Sequence, residues 1–236
     1  MPIKDLPVIS AGKKIVVVVP AYNEGPVLLQ VIDSLSDAGM TVIVVDDGSD
    51  EPVKNLIGKR PVVLISHQVN LGQGAAIQTG LSYAKRYDPD IVITFDADDQ
   101  HDINDIPAMI TPVLNGSADI VLGSRFLHQS TLHIPPVRKI LLYTARFIES
   151  LFSGIKLTDA HNGFRVFGRA AIEKIEITEN RMAHASEIIF LVSKYKLRWK
   201  EVGVHVRYTD YSKKKGQTKR DSIKVLFDLV LHKFFK

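Results

Sequence analysis

Cysteine is absent from the 236-residue chain. That removes disulfides, thiolate zinc sites and cysteine nucleophiles together, and it fits a reducing compartment. Long apolar runs are missing too: the longest are a handful of residues, well short of the roughly 20 that a bilayer demands, so no spanning helix is expected. The opening Met1-Pro-Ile-Lys-Asp-Leu-Pro7 has no apolar core, and no secretory signal is expected there. No internal repeat, low-complexity stretch or Pro/Gly/Ser-rich linker divides the chain. The histidines show no His-x-x-x-His spacing and no serine sits in a nucleophile elbow, so a histidine-bound zinc and covalent catalysis lack support. With 45% hydrophobic residues, the chain is long enough to bury one substantial core.

What is present is concentrated at the ends of apolar runs. Ile91-Val-Ile-Thr-Phe95 runs directly into Asp96-Ala-Asp98-Asp99-Gln100-His101. Two carboxylates one residue apart at a strand end are poised to share a hard, oxygen-seeking cation such as Mg²⁺ or Mn²⁺, which can grip a diphosphate. A second acidic end, Asp46-Asp47-Gly48-Ser49, follows the run 42–45, and a first run ends in Pro20-Ala21-Tyr22-Asn23-Glu24.

The runs 15–19, 41–45, 62–65 and 91–95 are β-branched without polar alternation, as expected of parallel strands covered on both faces. Helix-like segments at 25–38, 51–57 and 73–86 supply the crossovers, which predicts an α/β fold with a mostly parallel, helix-flanked sheet. Ligands of such sheets bind beyond the carboxyl ends of the strands, where all three polar motifs fall. Further on, 104–114 and 137–152 read as helices and 118–122 as a strand. Segments 164–167 and 199–208 read as strands, some antiparallel, and 186–195 as a helix. Asn70-Leu-Gly72-Gln-Gly74-Ala75 fails as a dinucleotide fingerprint, because the glycine spacing is wrong and it follows the third strand rather than the first.

Together, Pro20-Ala-Tyr-Asn-Glu24, Val45-Asp-Asp-Gly-Ser49, Asn70-Leu-Gly-Gln-Gly-Ala75, Asp96-Ala-Asp98, Gly123-Ser-Arg125 and Asn162-Gly-Phe-Arg165 resemble family-two glycosyltransferases. The likeness runs over roughly residues 14 to 216 and is nearest to the dolichol-phosphate mannose synthase and polyprenyl-phosphate glycosyltransferase group. It implies a single GT-A, Rossmann-like nucleotide-diphospho-sugar transferase domain, a Mg²⁺ or Mn²⁺ cofactor and inversion at the anomeric carbon. By the same resemblance, Asp98 is the leading metal ligand and a catalytic residue, helped by Asp96 and Gln100. Asp99 departs from the usual small or apolar residue and is expected at the rim.

The resemblance assigns Asp46 and Asp47 to nucleotide recognition, with Pro20, Ala21, Tyr22 and Glu24 lining the same pocket. It gives Gly72 and Gly74 a backbone approach to the nucleotide, for which a simple turn and cap is the alternative. Arg125 and Arg165 are assigned to phosphate, where a guanidinium fork suits a diphosphate better than an ammonium does. Asn162 stands where Ser is more usual. Asp159 and Glu187 match acidic positions of the second half. Either is a candidate general base for a hydroxyl acceptor, worth roughly 10²–10⁴-fold in rate. A polyprenyl phosphate is largely dianionic at neutral pH and needs no strong base, in which case Asp159 orients Arg165 or the donor sugar.

The net charge of +4 is a tail property, since residues 207–236 carry nine Lys/Arg against three Asp. That argues against general nucleic-acid binding and for an anionic surface or acceptor. Within the tail, Lys213, Lys214 and Lys215 stand where the resembled group has a basic loop over donor and acceptor phosphates. After a catalytic domain spanning 1–216, residues 217–236 read as a basic amphipathic helix with Ile223, Leu226, Phe227, Val230, Leu231, Phe234 and Phe235 on a broad apolar face. Its expected partner is a membrane surface or a small membrane subunit, with the domain itself as the alternative. The expected protein is peripheral at the cytoplasmic membrane face and moves a sugar from a UDP- or GDP-sugar to a polyprenyl or dolichyl phosphate. The alternatives are a hydroxyl acceptor on a glycan or protein, and a non-catalytic nucleotide-sugar-binding subunit. A nucleotidyltransferase is disfavoured, because no glycine-rich phosphate loop follows the first strand.

Overall fold

The structure is a computed structural model that describes residues 12–127 and 154–207. Thirteen principal elements occur there in the order β1 (Ile15–Ala21), α1 (Val27–Asp37), β2 (Thr41–Asp46), α2 (Val53–Ile57), β3 (Val63–Ser66), α3 (Gln73–Ala84), β4 (Ile91–Thr94), α4 (Ile106–Leu114), β5 (Ile120–Ser124), β6 (Arg165–Gly168), α5 (Arg169–Lys174), α6 (His184–Lys194) and β7 (Trp199–Gly203). The strands form one seven-stranded sheet in the order β3-β2-β1-β4-β6-β5-β7. Only β6 runs against its neighbours. The β1–β2, β2–β3, β1–β4 and β5–β7 pairs are all parallel.

The run of valines in β1 explains why it lies in the interior of the sheet. Successive side chains of a strand face opposite sides, so Val17 and Val19 pack against α1 and α4 through Leu28, Ile32, Leu35, Ile106 and Met109. Val16 and Val18 pack the other way, against α3 and α6 through Ala76, Ile77, Leu81, Ile188 and Val192. A strand buried on both faces has no use for polar alternation. The four apolar runs read as strands in the sequence are β1 to β4, each within a residue or two of its expected ends.

The chain moves outward from β1 through β2 to β3 and then returns to place β4 on β1's other side. The carboxyl ends of β1 and β4 therefore flank a topological switch point, the place where ligands of open α/β sheets bind. Pro20 and Ala21 end β1, and Asp96 follows β4. Two elements differ from expectation. The helix expected at 73–86 ends at Ala84 and tightens into a 3-10 turn over Lys85–Tyr87, which stops at Asp88 in a left-handed conformation with φ 47°. The short α5 follows a β6–helix junction with no side-chain cap to announce it. The helices expected at 137–152 and 217–236 lie outside the described residues. Among the described residues, no helix is long and apolar enough to cross a membrane.

α3 reaches β1 through Gly80, where an added Cβ would stand 2.2 Å from Val18 Cγ1. Alanine normally stabilises a helix relative to glycine, but here the helix would have to lift off the sheet. Gly80→Ala should therefore lower unfolding stability by about 1–3 kcal/mol. Urea denaturation checks this, and an unchanged or raised midpoint would show that the α3–β1 contact is loose.

Candidate functional site

The loops after β1, β2 and β3 are fastened to one another at the carboxyl edge. Asn23 takes a left-handed conformation, φ 52°. Its backbone N–H donates to Ser49 Oγ at 2.9 Å and its Nδ2 to Asp50 Oδ2 at 2.9 Å, while Asp50 N donates back to Asn23 Oδ1 at 2.8 Å. Asp47 N donates to the Ala21 carbonyl at 2.8 Å. Both carboxylates expected to recognise the nucleotide are buried, each 3% exposed. Asp46 accepts from Ser49 N at 3.0 Å and Val53 N at 3.1 Å, closing the turn and holding the start of α2. Asp47 accepts from Leu71 N at 3.0 Å, Gly72 N at 2.7 Å and His67 Nδ1 at 2.8 Å. These carboxylates hold the loops in shape. Glu24 is half-buried and Tyr22 is exposed at the edge. A cavity of about 330 Å³ opens between Glu24, Gly25 and the start of α2, with Glu51, Pro52, Val53, Asn55 and Leu56 on its other walls.

Gly72 and Gly74 correct an expectation. The backbone they admit belongs to the protein: an added Cβ on Gly74 would meet the Glu179 carbonyl oxygen at 2.0 Å and His184 Cβ at 2.8 Å, and one on Gly72 would meet the Asn180 carbonyl oxygen at 2.4 Å. Ala75 N donates to that Asn180 carbonyl at 3.1 Å. Segment 179–181 is itself fixed by Glu187, whose carboxylate takes Thr178 N, Thr178 Oγ1 and Glu179 N. Glu187 is thus a backbone clamp rather than a poised base.

At the end of β4, Asp96 Oδ1 accepts from Gln73 Nε2 at 3.0 Å and Oδ2 from His101 Nε2 at 2.9 Å. An ionised carboxylate only accepts, so His101 Nε2 is the donor in this bond. His101 is buried and held by edge-on contact with Phe95 and tilted contact with Phe164. Burial alone would raise the Asp96 pKa, but the hydrogen bond and charge of His101, with the charge of Arg165, outweigh it and hold Asp96 below the usual carboxylate range. Asp98 goes the other way: burial, the negative charge of Asp96 and that of Glu24 together push its pKa up, against the hydrogen bond from Gln100 N. Gln100 donates to Asp98 from its backbone at 3.1 Å and from Nε2 at 2.6 Å. Asp99 is half-buried in a left-handed conformation, φ 57°.

Among the described residues, no three His, Cys, Asp or Glu side chains gather into a protein-made metal cage. Asp96, Asp98 and Gln100 instead offer carboxylate and amide oxygens on one loop, with burial and the charges of Asp96 and Glu24 weighing on Asp98. That suits a Mg²⁺-type ion which takes one or two carboxylates and completes its shell with water and a ligand's phosphates.

The two arginines separate. Arg125, just past β5, is clamped by Asp159, which accepts from Arg125 Nε at 2.7 Å, Nη2 at 2.8 Å and the backbone N at 3.1 Å. Its side chain keeps 22% exposure while that of Asp159 keeps 3%. Burial would raise the Asp159 pKa, but the hydrogen bonds and charge of Arg125 hold it down, so it stays ionised. Arg165 lies within β6 at 1% exposure, its Nη2 donating to the Ala160 carbonyl at 3.4 Å. The expectation that Arg165 grips a phosphate, and that Asp159 orients it, is corrected: Asp159 orients Arg125, and Arg165 is an internal counter-charge to Asp96. Lys213 and Lys215 lie outside the described residues.

Sequence reading missed Gln73, His67 and His101, which fix Asp96 and Asp47, and Glu201, which holds the Asp159 segment. Only His101 carried a signal, its place three residues past Asp98.

The comparisons with known proteins agree with this geometry. The description Glycosyl transferase family 2 matches residues 16–176. The chain is 36% identical over 226 residues to the uncharacterized protein MJ1222 of Methanocaldococcus jannaschii, covering 94% of this chain and 93% of that one. It is 30% identical over 247 residues to a UDP-N-acetylglucosamine--dolichyl-phosphate N-acetylglucosaminyltransferase of Methanococcus voltae, covering 96% and 98%. Mannosyl-3-phosphoglycerate synthase from Rubrobacter xylanophilus shares the fold, with a TM-score of 0.61 at 18% identity over 93% of this chain and 72% of that structure. The switch-point crevice with its acidic pair defines a GT-A-type transferase. This chain belongs to glycosyl transferase family 2 and is a glycosyltransferase.

Two predictions follow from the packing around Asp96. An added Cβ on Gly163 would lie 2.3 Å from Asp96 Oδ2. Gly163→Ala should displace that carboxylate and cut sugar transfer by at least about tenfold while circular dichroism stays native; full activity would mean that the Asp96 position is immaterial. His184, 2% exposed, has its pKa lowered from 6.5 to about 4 by burial and then by the charge of Arg165. The unfolded chain therefore takes up this proton first. Stability is fully present above about pH 6.5 and falls as the pH drops toward 4, by about 2 kcal/mol between roughly pH 7 and pH 5. The same pH difference measured by urea denaturation should shrink by that amount in His184→Gln.

Proposed function

We propose that this protein is an inverting, metal-dependent glycosyltransferase that moves a sugar from a nucleotide-diphospho-sugar to a polyprenyl or dolichyl phosphate. The observation that carries the acceptor is the state of the two candidate bases. Asp159 is spent on Arg125 through both oxygens, and Glu187 is spent on the 178–179 backbone. A hydroxyl acceptor needs a group free to take its proton. A phosphate monoester, whose second pKa is near 6, attacks as the dianion it already is. The dolichyl-phosphate acceptor in the name of the Methanococcus voltae relative supports the same reading.

In this reading Asp96 and Asp98, with Gln100 alongside, hold Mg²⁺ or Mn²⁺, which when bound offsets the charge that collects on the departing diphosphate. His101 and Gln73 keep Asp96 in place for that task. Arg125, aligned by Asp159, is the guanidinium proposed to meet a phosphate. Ala21, Tyr22 and Glu24 line the donor side, beside a cavity large enough for a nucleoside base. Asp46 and Asp47 contribute by fixing the loops that form this wall. Arg207, the last described residue, is tied to the acidic loop: its N–H donates to the Gln100 carbonyl at 2.8 Å and its guanidinium to Asp102 at 2.6 Å. Further along the chain, Lys213 and Lys215 are proposed as ligands of the donor and acceptor phosphates, and the apolar tail 217–236 as the part that meets the cytoplasmic face of a membrane or a small membrane subunit.

Purified protein supplied with Mn²⁺ and a panel of UDP- and GDP-sugars should transfer sugar to a polyprenyl phosphate and not to the matching polyprenol, and EDTA should stop the reaction. Asp98→Asn should lower the rate by roughly 10²–10³-fold. Transfer to the polyprenol instead, or an unaffected Asp98→Asn enzyme, would overturn the reading.

A further inference from the structure

We propose that Glu201 is a positioning residue for the transfer reaction, acting at a distance by setting where Arg125 stands. This rests on the reading of Arg125 as a phosphate-binding group. Glu201 lies on β7, whose partner in the sheet is β5, the strand that ends just before Arg125. Its carboxylate collects four donor contacts from two residues of a remote loop. Thr158 N donates at 2.8 Å to Oε1 and 2.9 Å to Oε2, Thr158 Oγ1 at 2.9 Å to Oε1, and Asp159 N at 3.0 Å to Oε1. Thr158 Oγ1 also meets Ser124 Oγ at 2.5 Å, and Ser124 Oγ accepts from Phe126 N at 3.2 Å. The loop 158–159 is therefore held to both strands that flank Arg125.

The consequence runs through Asp159. Its carboxylate meets Arg125 at Nε, Nη2 and backbone N, so the guanidinium plane is fixed by wherever Asp159 is placed. Asp159 is itself tied to the sheet, since its backbone N–H donates to Glu201 at 3.0 Å. Hydrogen bonds to an ionised acceptor are about twice as strong as neutral ones, so this carboxylate restrains the loop more than a neutral side chain would. The net effect is a rigid chain from β7 through the loop to a guanidinium at the edge of the site. A merely structural carboxylate would hold backbone that leads nowhere; this one holds the backbone of the residue that aims a site arginine.

Glu201→Gln keeps the size of the side chain but replaces one acceptor with a donor that faces Thr158 N. In isotope-labelled protein the Arg125 Nε–Hε resonance, identified by its loss in Arg125→Lys, should be protected in the natural chain. In Glu201→Gln its exchange with water should accelerate by at least about tenfold while dispersed methyl signals persist. Binding of Mn²⁺ with UDP or GDP should weaken about tenfold in Glu201→Gln, and the double variant with Arg125→Gln should bind no worse than Arg125→Gln alone. Should Glu201→Gln not fold, Glu201→Asp, which retains charge but shortens the reach, gives the same two readings. An unchanged Arg125 resonance, or losses that add in the double variant, would overturn the proposal. If the natural chain binds neither nucleotide, the donor reading fails while the resonance still decides the role of Glu201.

Discussion

Ionised carboxylates that accept from backbone N–H groups are what the functional edge depends on. Asp46, Asp47, Glu187 and Glu201 each take two or more donors from a loop. Buried loop backbone without partners is costly, and a carboxylate is a strong acceptor with about four lone-pair sites. Each such residue converts a connection that would otherwise be free into a wall of fixed geometry. The crevice at the switch point can be irregular in chain path and still fixed in shape, because its irregular stretches are tied to acidic side chains as well as to each other.

The acidic residues thus fall into two populations with opposite physics. Asp46, Asp47, Glu187 and Glu201 take backbone N–H groups of the turns and loops they hold. Asp98, by contrast, holds only its neighbour Gln100 among the described hydrogen bonds, and burial with the charges of Asp96 and Glu24 pushes its pKa up. A carboxylate under that pressure at the carboxyl edge of the sheet is a functional signal. The arginines divide in the same way, with Arg165 buried beside Asp96 and Arg125 held by Asp159 with part of its side chain exposed.

The strands could be read from sequence because burial on both faces leaves an unmistakable run of β-branched residues, as in Ile15 to Val19. The placing of Asp96 and Asp98 at the carboxyl edge followed from where those runs stop. What could not be read was partnership across the chain. Nothing local distinguishes Asp46 from Asp98, since both are acidic residues at the end of an apolar run; only the fold reveals that Val53 N donates to one and that burial and the charges of Asp96 and Glu24 bear on the other. Gly74 suggested a ligand because glycine signals close approach, but the approaching group was residue 179, more than a hundred positions away. Segment 164–167 reads as a strand with antiparallel pairing in view, but nothing in it shows that it lies between β4 and β5, where Arg165 is carried into the interior.

The reversed direction of β6 has a further consequence. A parallel strand would have to be entered from the far side of the sheet, but β5 ends and β6 begins at the same edge, so the chain leaves and returns there. The polypeptide between Arg125 and Asp159 therefore starts and finishes at the carboxyl edge on the β5–β6 side of the strand-order reversal, whereas the loops after β1 to β3 are built on the other side of it. In the proposed reading the topology separates the two halves of substrate choice: the nucleotide belongs to one side of the reversal and the excursion between β5 and β6 to the other.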